Sequence, residues 1–417
     1  MISETVEVKG HIIDSLVLPK ILDTILAVPS ASFDIEEVRV GRKKIDTSYA
    51  RLSVRAPSRK ILDRILLKIE QIGAQPIRIR EARIARAPKD GVFPEGFYST
   101  TNLPTAVYFK KAWRPVARIE MDCGICVNRR ATKACTIPIS DVKKGNEIVV
   151  GSTGIRVTPL ERERNREIFQ FMASSVSSEK PKTRLIHSLA EEMYQTKRRD
   201  GKILFVAGPA VVHTGAVPYF VELVERGYVD VLFGGNGLAT HDVESALLGT
   251  SLGVDMKSGK STHSGHDHHM RAINRIRDVG GLRQAVKKKV RRSGLMHACL
   301  RHRVRLVLVG AIRDDGPLPD DITDMLAAQK AMRESLGGIE LAIMVASTLH
   351  SIATGNMLPA TVKTVCVDIN PAVVTKLSDR GTFQNVGLVT DSESFLRELA
   401  RQIRSFPTFA RKRSGER

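Results

Sequence analysis

Imidazoles titrate near neutrality and ligate metals, so a cluster of histidines is a first place to look for chemistry. Residues 261–271 read STHSGHDHHMR and bring His263, His266, His268 and His269 together with Asp267. If a helix starts here, consecutive side chains point about 100° apart, which is poor geometry for His268 and His269 as ligands of one tetrahedral ion. His263 with His266, or His266 with His269, could share a metal, yet no second group of cysteines or carboxylates is paired to them. The stretch reads instead as a wall of an active site, with His266 a candidate catalytic group and no metal expected. DCGIC poses a second metal question, because Cys123 and Cys126 form a C-x-x-C with Cys135 nearby. A second knuckle is missing. On an alternating strand Cys123 and Cys126 fall on opposite faces unless the chain turns at Gly124, so reduced, buried or half-buried thiols are expected.

The elements that must position such groups are bounded by composition. At 417 residues the chain is too long for one ordinary domain, and 42% hydrophobic residues are enough for a real core. No apolar run approaches the roughly 20 residues of a membrane-spanning helix. The start, MISETVEVKGHIID, alternates rather than forming a signal-peptide core, so a cytoplasmic protein with no membrane partner is expected. Five cysteines, an odd number, argue against a disulfide framework. The net charge of +20 raises nucleic acid as a partner, but the basic runs (42–44, 197–199, 287–292 and the tail) are scattered. Aromatic residues do not interleave with them as a stacking platform needs. A solvated basic surface and no nucleic-acid partner are expected, while an anionic dinucleotide remains compatible.

Along the chain three modules are legible. Residues 1–95 run strand-helix-strand-strand-helix-strand, the split βαβ order of a ferredoxin-like α/β module. Its clearest helix, RKILDRILLKIEQIGA, carries Ile61, Ile65, Leu66, Ile69 and Ile72 on one stripe. Residues 96–180 hold short β-rich runs broken by Gly, Pro and Asn, expected to form a small barrel or sandwich. A charged helix over 160–181 and a Ser/Lys/Pro linker near 175–183 lead out of it. Residues 184–410 alternate continuous apolar strands (KILFVAG, VDVLFGG, RLVLVGA, ELAIMVAS, TVCVDIN, then GLVTD) with helices. That pattern means a parallel sheet covered on both faces. The expected fold class is α/β, ending in a Rossmann-like doubly wound domain.

In such sheets ligands sit beyond the carboxyl ends of the strands. The loops there are GPAVVHTG (208–215), GGNGLATHD (234–242), GAIRDDGPLPD (310–320), ASTLHS (346–351), DINP (368–371) and the pair at 390–391. Asp368, ending its strand, is placed like the acid that hydrogen-bonds an adenosine ribose and disfavours a 2′-phosphate, though a helix cap is the plainer role. ASTLHS offers small residues and hydroxyls for phosphates. None of these loops contains G-x-G-x-x-G, so a dinucleotide would need a different phosphate loop.

Taken in order, GPAVVHTGA, GGNGLATHDVE, GTSLGVD, GHDHHMRAIN, GAIRDDGPLPDDITD, LHSIATGNMLPA and VKTVCVDINPAVVTKLSDRG resemble the archaeal-type ornithine cyclodeaminase family. That family is related to the lysine-oxoglutarate reductase/saccharopine dehydrogenase conserved region and to the C-terminal half of cyanobacterial arginine dihydrolase fusions. The resemblance covers essentially the whole chain. It implies NAD-dependent conversion of L-ornithine to L-proline with release of ammonia, without the guanidine-removing activity of the fusions, and a homo-oligomer is the expected state. It implies NAD contacts at Asn236, Gly237, Asp314, the stretch Ala346, Ser347, Thr348, Leu349 and His350, then Asp368, Asn370 and Asp391. Where this chain has Gly237 the family usually has alanine, a change that should not harm cofactor binding.

The implied chemistry needs a cation for the substrate carboxylate, a carboxylate for an ammonium, an acid/base near neutrality and a dry pocket. Arg271 is the candidate for the first, Asp315 and Asp314 for the second, and His213, His266 and His350 for the third. Asp267 is the expected N-cap of the helix that follows. Two readings remain beside the cyclodeaminase: a net dehydrogenase of an amino acid or saccharopine-like substrate, and a non-catalytic metal- or nucleic-acid-binding protein.

Overall fold

The computed structural model describes residues 1–13, 16–42, 46–77, 80–128, 130, 132–158, 182–256, 258, 260, 265–290, 292–314, 316–378 and 385–409. The chain divides into two compact units, Met1–Gln170 with Asn356–Thr361, and Phe171–Gly355 with Val362–Arg417. The charged helix expected over 160–181 lies outside the described residues, as does most of the linker after it.

The first unit opens with β1 (Ile2–Gly10), β2 (Ser32–Arg39), β3 (Ser48–Ala56) and β4 (Gln75–Pro76), in the antiparallel order β2-β3-β1-β4. Helices Val17–Leu26 and Arg59–Ile72 cross between them, which completes the expected ferredoxin-like arrangement. Alternation in β1 sends Val6 and Val8 inward against Leu62, Ile65, Leu66 and Ile69 of the second helix. Ile61 and Ile72, expected on that stripe, are only partly buried, and Leu62 takes the central position. Ser58 caps the helix by accepting the Ile61 N–H at 3.4 Å, and Gly73, at φ +116°, ends it.

A second sheet of this unit comprises β5 (Arg83–Arg86), β6 (Thr105–Phe109), β7 (Ala112–Ala117), β8 (Gly124–Asn128), β9 (Lys133–Ile137), β10 (Glu147–Val150) and β11 (Ile155–Val157). Its order is β11-β6-β7-β9-β8-β10-β5. The two small modules expected on either side of residue 95 thus fall in one compact unit, and β5, before that boundary, pairs with β10. Cys126 and Cys135 face each other across β8 and β9, while Cys123, just ahead of β8, donates its thiol to Glu120 Oε1 at 2.8 Å. None of the five cysteines is in a disulfide.

Glu70, on the helix Arg59–Ile72, is buried, with Oε2 unpartnered. Burial pushes its carboxyl up to about 8, against a hydrogen bond with Ser152 that lowers it. The neutral acid is therefore the folded form, and its advantage is lost as pH climbs from the ordinary glutamate range through about 8. Glu70→Gln should raise Tm at pH 9, by a gain on the order of 2 kcal/mol, and leave it nearly unchanged at pH 5. Melting curves at the two pH values check this, and equal shifts at both would assign the gain to packing rather than charge.

The second unit carries six parallel strands: β12 (Lys202–Ala207), β13 (Val231–Gly235), β16 (Arg305–Val309), β17 (Ile339–Val345), β18 (Lys363–Asp368) and β19 (Asn385–Val389). A two-stranded hairpin, β14 (Thr250–Ser251) and β15 (Val254–Asp255), stands apart from them. The sheet order is β16-β13-β12-β17-β18-β19, which is 3-2-1-4-5-6 in order of appearance, the Rossmann order. Each strand is a short apolar run because both faces are covered; Ile203 to Ala207 and Leu341 to Ala342 are fully buried. A helix, Lys182–Arg198, precedes β12 and was not anticipated. Among the described residues no helix is long and apolar enough to cross a membrane.

Candidate active site

Strand order reverses between β12 and β17, and the crevice of a doubly wound sheet opens at that point. Here the loops leaving the two strands are packed against each other. A Cβ on Gly208, the residue after β12, would stand 1.7 Å from the Ala346 carbonyl oxygen, the residue after β17. Ala346 itself holds φ +50°, and its N–H donates to the Val367 carbonyl at 2.9 Å. The next strands are tied in similarly. His350, in the first turn of the helix Leu349–Met357, lies over Gly235 at the end of β13, where a Cβ would come 3.0 Å from its Cε1. The same ring hydrogen-bonds the Val309 carbonyl that ends β16.

Asn236 begins the helix Asn236–Leu248 and is buried. Its Oδ1 accepts from Thr240 Oγ1 at 2.9 Å and from the Leu318 N–H at 3.2 Å, so the loop after β16 is anchored to the end of β13. Gly237, the departure from the family pattern, has open space: a Cβ would meet Pro209 at 3.7 Å, an ordinary contact. Gly237→Ala should therefore gain about 0.5–1 kcal/mol of stability from helix propensity and lower chain entropy. NAD affinity should stay within twofold by titration, and a tenfold loss would mean that the ligand needs the missing methyl's space.

Asp314 closes its own turn, accepting the Ala311 N–H at 2.6 Å. Asp315 and His263 lie outside the described residues, as does the side chain of His266. Asp321, which the sequence reading passed over, shares the Leu318 N–H with Asn236 at 3.1 Å, and its Oδ1 is buried without a partner. Burial pushes it up to about 7, against the Leu318 hydrogen bond, with the Asp314 and Asp320 charges adding to the rise. Asp368 ends β18 half-buried, with Oδ1 accepting the Asn370 N–H at 2.8 Å. Asn370 and Asp391 are helix caps, accepting from Ala372 N and Ser394 N at 3.0 and 2.9 Å. The helix that Asp391 caps reaches the loop after β12 through Ser392, whose hydroxyl is 3.0 Å from that of Thr214.

Arg271 is not among the groups gathered at the strand ends. Asp267 takes it bidentately, at 2.9 Å for both bonds, on an exposed helix face. The same pairing corrects the expected N-cap: Asp267 precedes the helix His268–Val279 but makes no side-chain capping bond. An acid four residues ahead of an arginine is a helix-surface pair by spacing alone.

The histidines converge differently from the sequence reading. His213 ends the helical turn Ala210–His213 that leaves β12, with Nδ1 2.7 Å from Ser251 Oγ. Its ring meets that of His241 edge-on, centroids 4.7 Å apart, and His241 lies 6.4 Å from His269. His268 Nδ1 is 2.8 Å from Thr250 Oγ1. Burial and the neighbouring His241 push His213 down to about 4, so it is neutral at physiological pH. His241 was missed, and its signal was the His241/Glu244 spacing on one helix face. Among the described residues no group of three or more His, Cys, Asp or Glu side chains is placed to hold a metal ion.

Three family models tile the chain: the LOR/SDH bifunctional enzyme conserved region over 3–103, then the first and the Rossmann-fold regions of the ArgZ-like arginine dihydrolase C-terminal part over 104–186 and 187–399. The ornithine cyclodeaminase of Methanopyrus kandleri is 50% identical over 96% of this chain and 97% of its own length. The bifunctional arginine dihydrolase/ornithine cyclodeaminase AgrE of Nostoc is 40% identical over 96% of this chain, which spans 58% of it. Among solved structures, cyanobacterial apo ArgZ matches with a TM-score of 0.85 at 37% identity, covering 97% of this chain and 58% of that one. The complex of AgrE with ornithine and NAD+ matches at a TM-score of 0.51 and 38% identity, with the same coverages. With nearly its full length matched at such identity, the chain belongs to the archaeal-type ornithine cyclodeaminase family.

Proposed function

We propose that this protein converts L-ornithine to L-proline and ammonia with NAD as its resident cofactor. The observation that carries the reading is the end-to-end match to proteins named ornithine cyclodeaminase. The strand-end geometry supports it.

The residues present fit a dinucleotide. Asp368 at the end of β18 follows the Ala346–His350 turn by about twenty residues, the separation at which an acid meets an adenosine ribose. The N–H groups opening the helix Leu349–Met357 and the hydroxyls of Ser347 and Thr348 suit a pyrophosphate. Leu349 and Ile369 stand 75% and 71% exposed beside them, apolar surface of the kind a purine covers. The turn Ala346–His350 and Asp368 would hold the adenosine and pyrophosphate, and Asn236 and Asp314 would hold the nicotinamide end. NAD, when bound, supplies a hydride acceptor and donor for one substrate carbon, so that amine loss and ring closure bring no net redox change.

The rest of the chemistry belongs to the chain. Ornithine arrives with two ammonium groups, and a base must take a proton from each before its nitrogen can react. His213, held neutral by burial at the mouth of β12, is an uncharged hydrogen-bonding neighbour there rather than that base. The mutually packed loops after β12, β13, β16 and β17 limit water.

Incubation with L-ornithine and NAD+ should yield proline and ammonia in equal amounts, with no growth of the NADH absorbance and no effect of a chelator. NADH rising in step with turnover would make the protein a net dehydrogenase instead.

A further inference from the structure

We infer that His241 and Glu244 form an imidazole–carboxylate pair that moves the protons of ornithine's amines, with His241 the catalytic residue and Glu244 its positioning residue. The inference rests on the activity proposed above.

Glu244 lies inside the helix Asn236–Leu248 with its side chain fully buried, and both carboxylate oxygens are engaged by the chain. Oε1 accepts from Thr250 Oγ1 at 2.9 Å and from the Gly253 N–H at 3.0 Å, while Oε2 is 2.8 Å from His241 Nδ1. Burial works against ionisation, but the bonds from His241, Gly253 and Thr250 outweigh it and hold the carboxyl below the ordinary glutamate range. Glu244 is then an anion with no proton to give. His241 must donate from Nδ1, which leaves Nε2 as the basic nitrogen. A fully buried carboxylate is costly to keep, and a merely structural link at this place could be made by a neutral amide. What the anion adds is stabilisation of a positive ring, the role of the acid in a Ser-His-Asp triad.

The surroundings fit a proton-transfer site. His213 from the turn after β12 packs edge-to-face with His241; His269 and His268 approach from the helix His268–Val279, the latter through Thr250 of the hairpin. Asp242, next along the same helix, is turned away and accepts the Leu295 and Met296 N–H groups at 2.7 and 2.8 Å. A neutral His213 spares the imidazolium a second positive charge at close range. The cluster lies on the β16-β13-β12 side of the switch point, opposite Asp368, which is the half of the crevice left for the reacting carbon. In the step, an ammonium N–H bond of ornithine breaks, its electron pair stays on nitrogen, and the proton forms a bond to Nε2. The same proton returns to the nitrogen that departs as ammonia.

His241→Gln should lower kcat by about 10²–10⁴-fold, with KM and NAD affinity within threefold. Glu244→Gln should keep the fold and NAD binding by titration, lower kcat by about tenfold or more with KM within threefold, and move the His241 nitrogen signals. Glu244→Asp should restore kcat in part. Nitrogen NMR of the wild-type imidazoles gives a readout apart from turnover: His241 should be protonated at Nδ1 at neutral pH, and its Nε2 signal should move on adding ornithine. Should a variant fail to fold, that spectrum decides. A kcat within tenfold of wild type for His241→Gln, or a ring protonated at Nε2 or blind to ornithine, overturns the pair while wild-type proline formation keeps the activity. Absence of proline from the wild-type protein overturns both.

Discussion

Gly208→Ala is expected to abolish measurable NAD binding and to lower Tm by several degrees. The added Cβ would stand 1.7 Å from the Ala346 carbonyl oxygen and 3.3 Å from Ser347 Cα, and the first of these is a distance no pair of non-bonded atoms can hold. Neither side can yield by a rotamer change, since both are backbone. Gly208 N donates to the Val345 carbonyl at 2.9 Å, so pushing the loop outward breaks the last link between β12 and β17. Ala346 already sits at φ +50°, in the region that costs a residue with a Cβ about 1–2 kcal/mol, and has little freedom to retreat. Overpacking of this kind costs about 1–3 kcal/mol, roughly 3–10 °C in a unit of this size. The ligand loses more than the fold does, because the displaced atoms are the floor of the switch-point crevice. The contrast with Gly237→Ala, a neighbouring glycine with open space, makes the test internal. NAD titration and melting of the two variants side by side check it, and equal behaviour would mean that the β12 and β17 loops are not packed as described.

How far the sequence reaches can be judged on particular residues. The six strands were legible because each is a continuous apolar run, which a doubly covered parallel sheet demands and little else produces. The ferredoxin-like order was legible from alternation and two amphipathic stripes. The pairing of β5 with β10 is not legible in the same way, since β5 is too short to carry a periodicity of its own and its partner is distant in sequence. At the site, strand-end position picked out Asn236, Asp314, His350 and Asp368 correctly as residues at one edge. Asp267 is not the N-cap its position suggests, because the carboxylate gains more from the bidentate guanidinium of Arg271 one turn away, which holds that side chain on the exposed helix face. Asp321 reads as surface within an acidic run, and its burial depends on how the loop folds over Asn236. Glu244 was invisible for the same reason. Its hairpin partners, Thr250 and Gly253, reach it only when β14 and β15 turn the chain back on the helix.

Asp368→Asn is expected to weaken NAD binding about 10- to 100-fold while leaving kcat at saturating NAD within about threefold. The carboxylate ends β18 with one oxygen on the Asn370 N–H at 2.8 Å, a bond that an asparagine carbonyl can keep. The Thr390 N–H, at 3.1 Å, uses the main-chain oxygen of Asp368 and is indifferent to the change. The fold is therefore preserved, and what disappears is the negative charge and one acceptor. A ribose diol donates through two hydroxyls, and replacing an ionised partner by an amide costs about 1.5–3 kcal/mol, equivalent to about one or two decades in Kd. The same loss removes the repulsion that disfavours a 2′-phosphate, so the preference for NAD over NADP should narrow as NAD affinity falls. Two quantities moving together separate this cause from general damage, which would weaken both cofactors alike. Fluorescence titration with each cofactor reads both. Unchanged NAD affinity would place the adenosine ribose away from β18, and with it the nicotinamide end away from β12 and β13; the histidine cluster would then face no reacting carbon.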